Sequence, residues 1–360
     1  MHKETMTSRE RVLAAFAHAP TDRVPIDYQA NPAIHARLKA HYNVDNLGLL
    51  EALWVDYRTV GPSYKGPRLF PEVAGMDVNA VTGYRTRWTE HKDGGYWEIC
   101  DYPLQDADME AAEKWPVPSA DDYDYESLRE QCRKNANYAT CLNGPPDIIN
   151  NTGRLRTMEQ VLIDLVTDDE AGLLIIKKRA EAELAVWARA LEYCNKPGEP
   201  GIAFLFLGED LGTQRGPTIS LPLFHKHILP YIKAFADLGK AYNIPCMMHS
   251  CGSSSWAFDD INSVGVTAVD ALQPEATNME PAYLKEKFGD RLMFHGCIST
   301  AGPLAYGTVE DVKKDCRDTL EIMMPGGGYT FAPTHMIQDN SPTENVVAMY
   351  ETGHELGWYK

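Results

Sequence analysis

Pro245-Cys246-Met247-Met248-His249-Ser250-Cys251-Gly252 is a short apolar run that exits in His-x-Cys-Gly, with a helical pattern after it. Residues two apart on a strand point to the same side. Read as a strand, the run therefore aims His249 and Cys251 at one point just past its end. An imidazole and a thiolate converging there are half of a tetrahedral zinc site.

The same rhythm recurs on either side. Strands are expected at Val24–Tyr28, Trp54–Val60, Tyr138–Leu142, Ile202–Leu207, Pro245–Met248, Ala268–Leu272, Leu292–His295 and Tyr329–Ala332. The fourth is a continuous apolar run of the kind buried on both faces. Helical patterns separate them: Pro32–Tyr42, Asn46–Leu53, Asp121–Lys134, Thr157–Leu165, Asp168–Tyr193, Leu221–Tyr242, Asp259–Val264, Met279–Phe288 and Thr308–Met324. Thr7-Ser8-Arg9-Glu10 and Ser341-Pro342-Thr343-Glu344 have capping-box spacing and open the first and last helices. Between about 76 and 104 the pattern changes to alternation with aromatics and a turn at Asp93-Gly94-Gly95, as in an antiparallel hairpin. Trp88 and Trp97 are read as its cross-strand packing.

Eight strands alternating with helices predict an α/β fold, a (β/α)8 TIM barrel with an inserted antiparallel β-hairpin, forming one domain over residues 1–360. A doubly wound sheet is the competing fold. The 360 residues, 44% hydrophobic, suffice for one large core. A formal charge of -17 without a Lys/Arg run argues against nucleic acid and anionic membrane as partners. Eight scattered cysteines with no C-x-x-C pair are cytosolic usage rather than a disulfide framework. The start Met1-His2-Lys3-Glu4 lacks an apolar signal core. A cytoplasmic location is expected, with a homodimer as the default assembly.

In such a barrel the chemistry lies at the C-terminal ends of the strands. Asp27, Asp56, Glu209 and Asp210 are the acidic candidates there, with Asp270, Gln273 and His295 beside them. His335, just after the last strand, lies across the mouth from His249. Neutral His249 and His335 with a Cys251 thiolate would form a three-ligand site with an open position, the catalytic pattern. Cys297, at the end of the seventh strand, could replace His335, and His335 could instead bind an anionic substrate. Glu209 or Asp210 could be a fourth ligand or a general base, the competing use being a helix cap or loop ion pair. Arg156 and Arg215 could hold a substrate carboxylate or pair with a neighbouring acid. Gln273 and His295 are placed with them as substrate-binding candidates. Gly326-Gly327-Gly328 precedes the last strand, so it is read as a turn at the opposite face.

The chain resembles the uroporphyrinogen decarboxylase superfamily, most closely its zinc-dependent, corrinoid-linked methyltransferase branch. The stretches that carry the resemblance are Ser8-Arg9-Glu10-Arg11-Val12-Leu13, Asp22-Arg23-Val24-Pro25, Gly208-Glu209-Asp210-Leu211-Gly212, His249-Ser250-Cys251-Gly252, Gly326-Gly327-Gly328-Tyr329 and Pro342-Thr343-Glu344-Asn345. The resemblance implies a (β/α)8 barrel. It also implies zinc held by His-x-Cys and a distant third residue, cysteine in that branch, whose place here falls on His335. The expected activity is methyl transfer (demethylation) between a small methylated donor or acceptor, methoxylated compounds included, and a corrinoid (cobalamin). No Asp-x-His-x-x-Gly corrinoid-binding motif occurs here, so the corrinoid protein would be a separate partner. One thiolate instead of two would make the metal a stronger Lewis acid, suited to the ether oxygen of a methoxy substrate. The alternative that the resemblance implies is a metal-free decarboxylase, a carboxy-lyase acting on a polycarboxylate or tetrapyrrole. Asp27 and Asp56 would then stabilise a protonated pyrrole, and His335 would hold a carboxylate. Against it, Asp27-Tyr28-Gln29-Ala30-Asn31-Pro32 lacks the arginines with which that enzyme clamps its substrate. A binding protein that has kept the barrel without the chemistry is the third reading.

Overall fold

The computed structural model describes residues 3–91 and 94–360. Met1 and His2 of the N-terminal reading, and Asp93 of the turn, lie outside them.

Seven strands run parallel in one sheet, in chain order: β1 (Tyr57–Thr59), β2 (Ala139–Pro146), β3 (Phe204–Gly208), β4 (Cys246–Ser250), β5 (Ala268–Ala271), β6 (Met293–Ile298) and β7 (Tyr329–Pro333). Helices fill every connection, and the strands are buried on both faces, as in Phe204-Leu205-Phe206-Leu207. That double burial is why these strands read as unbroken apolar runs.

The sheet curls, and the segment expected as a first strand lies between its two edges. Phe331 of β7 donates its N–H to Pro25 O at 2.9 Å, Asp27 N–H donates to Phe331 O at 3.0 Å, and Asp56 N–H donates to Ile26 O at 2.9 Å. Only an isolated bridge, Ile26 to Phe331, is formed there. Pro25 has no N–H to give, so a continuous ladder cannot build through it.

Thr7 and Glu10 form the expected reciprocal cap on helix Ser8–Phe16. The box expected at Ser341 does not form: helix Thr343–Leu356 begins after Pro342 without a side-chain cap, and Ser341 Oγ is buried without a hydrogen-bond partner. The single helix expected over 221–242 is two, Leu221–His227 and Leu229–Ala241, because Pro230 restarts the helix in its first turn. Helices Met109–Lys114, Ile148–Arg156 and Pro303–Tyr306 had no expectation from the sequence.

Strands Arg85–His91 and Gly94–Asp101 pair antiparallel, with Trp88 opposite Trp97 and their rings 5.6 Å apart. A Cβ on Gly94 would stand 2.5 Å from Asp339 Oδ2, so this hairpin rests on the loop that follows β7. Among the described residues, no helix is long and apolar enough to cross a membrane.

Two expected site residues are structural supports instead. β1 begins at Tyr57, so Asp56 precedes the strand and sits at the end away from the mouth. There, fully buried, it accepts from Arg11 Nη1 at 2.6 Å, Arg23 Nη1 at 2.8 Å and Ile26 N at 2.8 Å. Arg156, 3% exposed, donates to Asp164 at 2.6 Å and to Leu104 O at 2.8 Å. Its guanidinium ties a helix end to a loop and has no free edge for a substrate carboxylate.

Candidate metal centre

The centre begins with register. His249 of β4 lies opposite Asp270 of β5, which lies opposite His295 of β6. Residues in one row across parallel strands project to the same side of the sheet. The row therefore brings two imidazoles to one carboxylate. Asp270 Oδ2 is 2.5 Å from His249 Nδ1, and Asp270 Oδ1 is 2.5 Å from His295 Nδ1. With Nδ1–H held by Asp270, His249 presents the lone pair of Nε2 to the mouth.

Cys251 follows β4, and its Sγ is 3.3 Å from His249 Nε2. His335 arrives from the loop after β7, its ring centroid 6.1 Å from that of His249. The donor atoms of His249, Cys251 and His335 all lie within 4.8 Å of one another. Burial, then the neighbouring His249, holds His335 below the ordinary imidazole range, leaving it neutral. Burial alone would lower His249, but its hydrogen bonds to Asp270 and Cys251 raise it well above that range in the absence of a metal.

The donor set fits zinc. Two imidazoles and one thiolate are a zinc set, and the carboxylate behind His249 is its usual support. Two such ligands on a tetrahedral ion stand about 3.5 Å apart, close to the Cys251–His249 separation.

Residues 191–356 match the uroporphyrinogen decarboxylase (URO-D) family. That span takes in β3 to β7, and with them His249, Cys251, Asp270, His295 and His335. The resemblance to this superfamily read from the sequence is thus borne out. A solved structure of a methyltransferase from Methanosarcina mazei is similar over 97% of this chain and 99% of its own, with 17% identity and a TM-score of 0.62. It shares the fold. Dispersin B, at 8% identity over 70% of this chain and 84% of its own, has a TM-score of 0.34, too loose to bear on the fold. No curated protein sequence matches.

The loop Glu209-Asp210-Leu211-Gly212 divides its two acids between different tasks. Asp210 Oδ1 accepts from Cys251 N at 2.9 Å and lies 3.6 Å from His249 Nε2, while Oδ2 accepts from Asn150 at 2.9 Å. Burial would raise the Asp210 carboxyl, but His249 and the Cys251 N–H hold it below its ordinary range. Glu209 turns the other way. Fully buried, it accepts from Ile148 N at 2.6 Å and Ile149 N at 3.1 Å, the first turn of helix Ile148–Arg156. It acts as that helix's cap and is not on the metal-facing side.

Gly212 and Gly252 let this loop close on the His-x-Cys loop. A Cβ on Gly212 would stand 2.4 Å from Ser253 N, and one on Gly252, at φ 67°, would stand 2.4 Å from Gly212 O. Gln273 accepts from Gly252 N at 2.7 Å, so it pins the loop rather than facing a substrate. Arg215 lies exposed in the turn beyond, and no ion pair among the described residues engages it. His295 is fully buried between Asp270 and Asp27, out of a substrate's reach. Cys297 is 1% exposed, and it is not part of the metal-donor group. Burial pushes its thiol far up, which disfavours the thiolate a metal needs.

One cavity opens at His335 and a second lies beside Asp27. The first, of about 650 Å³, is lined by His335 with Asn31, Tyr96, Thr300, Gln338 and Asn340. The other, of about 560 Å³, is lined by Asp27, Tyr28, Tyr57, Asn143, Phe206 and Met336. Asp270 and Asn150, which support the centre, were not assigned roles from sequence. The shared position of Asp270, His249 and His295 on consecutive strands was the available signal for Asp270.

Proposed function

We propose that this chain is a zinc-dependent methyltransferase moving a methyl group between a small methoxylated substrate and a corrinoid on a separate protein. The single observation that supports this most is the convergence of His249, Cys251 and His335 within 4.8 Å, with Asp270 braced behind His249. Zn2+ held there would supply a Lewis acid with an open position, and a single thiolate leaves it more electropositive than two would. His249 and His335 act as neutral donors. Asp210 holds the Cys251 backbone in place and is the nearest carboxylate for a fourth position or for a proton. Gln273 and the paired glycines keep the Cys251 loop packed on its neighbour. On this reading residues 1–360 form one closed (β/α)8 barrel, with Val24–Asp27 completing the ring and the hairpin inserted. The free state of all eight cysteines agrees with a cytoplasmic setting.

The substrate would occupy the cavity beside His335. Its amides, phenols and hydroxyl suit an uncharged, oxygen-bearing molecule; the Asp339 carboxylate on its wall lies 3.5 Å from His91 Nε2, and no described residue lining it is Lys or Arg. A polycarboxylate finds no such clamp there; Arg58, on the wall of the second cavity, donates to Val55 O at 3.0 Å and Tyr57 O at 2.7 Å, and Asp56 is committed to Arg11 and Arg23 at the far end. These points tell against the decarboxylase.

The deciding experiment measures metal by mass spectrometry in the purified protein, in Cys251→Ala and in His335→Ala, alongside methyl release from methoxylated compounds to free cob(I)alamin. About one zinc per chain, lost in both variants together with methyl release, is expected. A wild type that stays metal-free after zinc is supplied would falsify the reading. Methylation of thiols without release from methoxy compounds would overturn the substrate assignment.

A further inference from the structure

Four side chains form one line from the cavity wall to the metal-facing imidazole. Asp27 Oδ2 lies 3.1 Å from His295 Nε2, His295 Nδ1 lies 2.5 Å from Asp270 Oδ1, and Asp270 Oδ2 lies 2.5 Å from His249 Nδ1. Asp27 lines the cavity of about 560 Å³, and His295 and Asp270 are 0% and 3% exposed. Each nitrogen of His295 faces a carboxylate oxygen. A neutral ring would set a lone pair against one of them, so both nitrogens carry hydrogen and the ring is a cation. Tyr57 meets the ring edge-on at 5.3 Å and Phe206 lies at 6.2 Å, which leaves it little room to turn.

We propose that His295 is a positioning residue for the metal centre, a buried cation that fixes the Asp270 carboxylate and, through it, the ring of His249. This rests on the reading of His249 as a metal ligand. Asp270 has two oxygens and two imidazole partners. Without His295, one oxygen loses its only charged partner in a site closed to water, and the carboxylate is free to swing off the line to His249. His249 would then keep its backbone position and lose its fixed ring orientation. Asp27 supports the chain from the other end. It accepts from Tyr28 N at 2.7 Å through Oδ1, which leaves Oδ2 aimed at His295.

The test is zinc affinity of the full chain by competition with a chromophoric chelator, in wild type, His295→Gln, His295→Ala and Asp27→Asn, with urea midpoints measured beside it. Glutamine can donate to one carboxylate only. Loss of a group that orients a ligand costs about 10- to 100-fold in metal affinity. His295→Gln is expected to weaken zinc binding by about that factor. Asp27→Asn should lose less, and added imidazole should restore affinity to His295→Ala. Cys251→Ala is the control for the reading underneath. If wild type binds zinc, Cys251→Ala does not, and His295→Gln binds within about twofold of wild type, the positioning role is refuted while the metal site stands. If affinity falls only as far as the urea midpoint does, and imidazole restores nothing, His295 is a packing residue and the proposal is likewise refuted. Absence of zinc from wild type would defeat the metal site itself.

Discussion

Asp56 separates a structural from a catalytic role most sharply. The perturbation is Asp56→Asn, which keeps the shape and removes the charge. Oδ1 accepts from Arg11 Nη1 at 2.6 Å and Arg23 Nη2 at 3.1 Å, and Oδ2 accepts from Arg23 Nη1 at 2.8 Å and Ile26 N at 2.8 Å. An amide can keep one pair of bonds, but its NH2 must then face guanidinium donors. Both arginines are buried, so neither can turn to water. Breaking a buried ion pair costs about 3–5 kcal/mol. Arg11 keeps Asp22 at 2.7 Å and Arg23 keeps the more exposed Glu4 at 2.8 Å, which places the loss near the lower end. With a urea slope of about 3 kcal/mol/M, the midpoint should fall by about 1 M. Urea unfolding followed by circular dichroism reads this directly. Zinc affinity and activity per folded molecule should stay within about twofold, because Asp56 lies at the far end of β1 from the metal donors. A midpoint shift equivalent to less than about 1 kcal/mol, with activity lost, would refute this and return Asp56 to the active site.

The metal-free protein should lose stability in alkali through His295. Burial alone would lower its pKa, but Asp270 and Asp27 raise it from 6.5 to about 9. The cation's stabilisation, about 3 kcal/mol, is then complete below pH 6.5 and lost as pH climbs through about 9. Urea midpoints across that range should fall in the wild type and run flatter in His295→Gln; parallel curves would contradict the assignment. Gly212→Ala puts a methyl 2.4 Å from Ser253 N, a backbone clash that no rotamer relieves. It should part the two loops and weaken zinc binding more than it lowers the urea midpoint, whereas equal effects would mean the loops do not set the site. Arg156→Ala leaves Asp164 buried and unpaired and should destabilise by about 3 kcal/mol without changing KM for a methyl donor. A raised KM at unchanged stability would reinstate the carboxylate-binding role.

The strands that carry the site were legible to within three residues because they are apolar on both faces, and a period of two then placed His249 and Cys251 together. Other residues lie away from their expected places for local reasons. A strand beginning at Trp54 would carry Asp56 toward the mouth, and the start at Tyr57 puts it at the opposite end. Glu209 and Asp210 are adjacent, and which one faces the metal depends on helix Ile148–Arg156, whose pattern is too short to stand out. His295 looks like a cavity residue from its place near a strand end. Only the register of three strands shows that Asp270 and Asp27 enclose it. Arg156 had an acid eight residues ahead, Asp164, but helix packing had to bring the two together.

The three metal donors rest on supports of unequal stiffness. His249 belongs to a strand, and its ring is held by a residue on the next strand, so its geometry follows from the sheet. A slip of one residue in β5 would turn Asp270 to the helix side and remove that brace entirely. Cys251 and His335 stand on loops. Cys251 is fixed by its own N–H on Asp210 and by the Gly212–Gly252 contact, while His335 has a cavity of about 650 Å³ on one side. Ordering His335 is therefore the part of metal binding that the fold has not already done, and loop ordering costs free energy that a strand residue does not spend. Alanine at either residue should empty the site in the purified protein, and zinc added back should refill His335→Ala at a lower concentration than Cys251→Ala. The same asymmetry suits a site that must admit a substrate. The ligand beside the open cavity is the one able to yield, while the His249 brace stays fixed behind the centre.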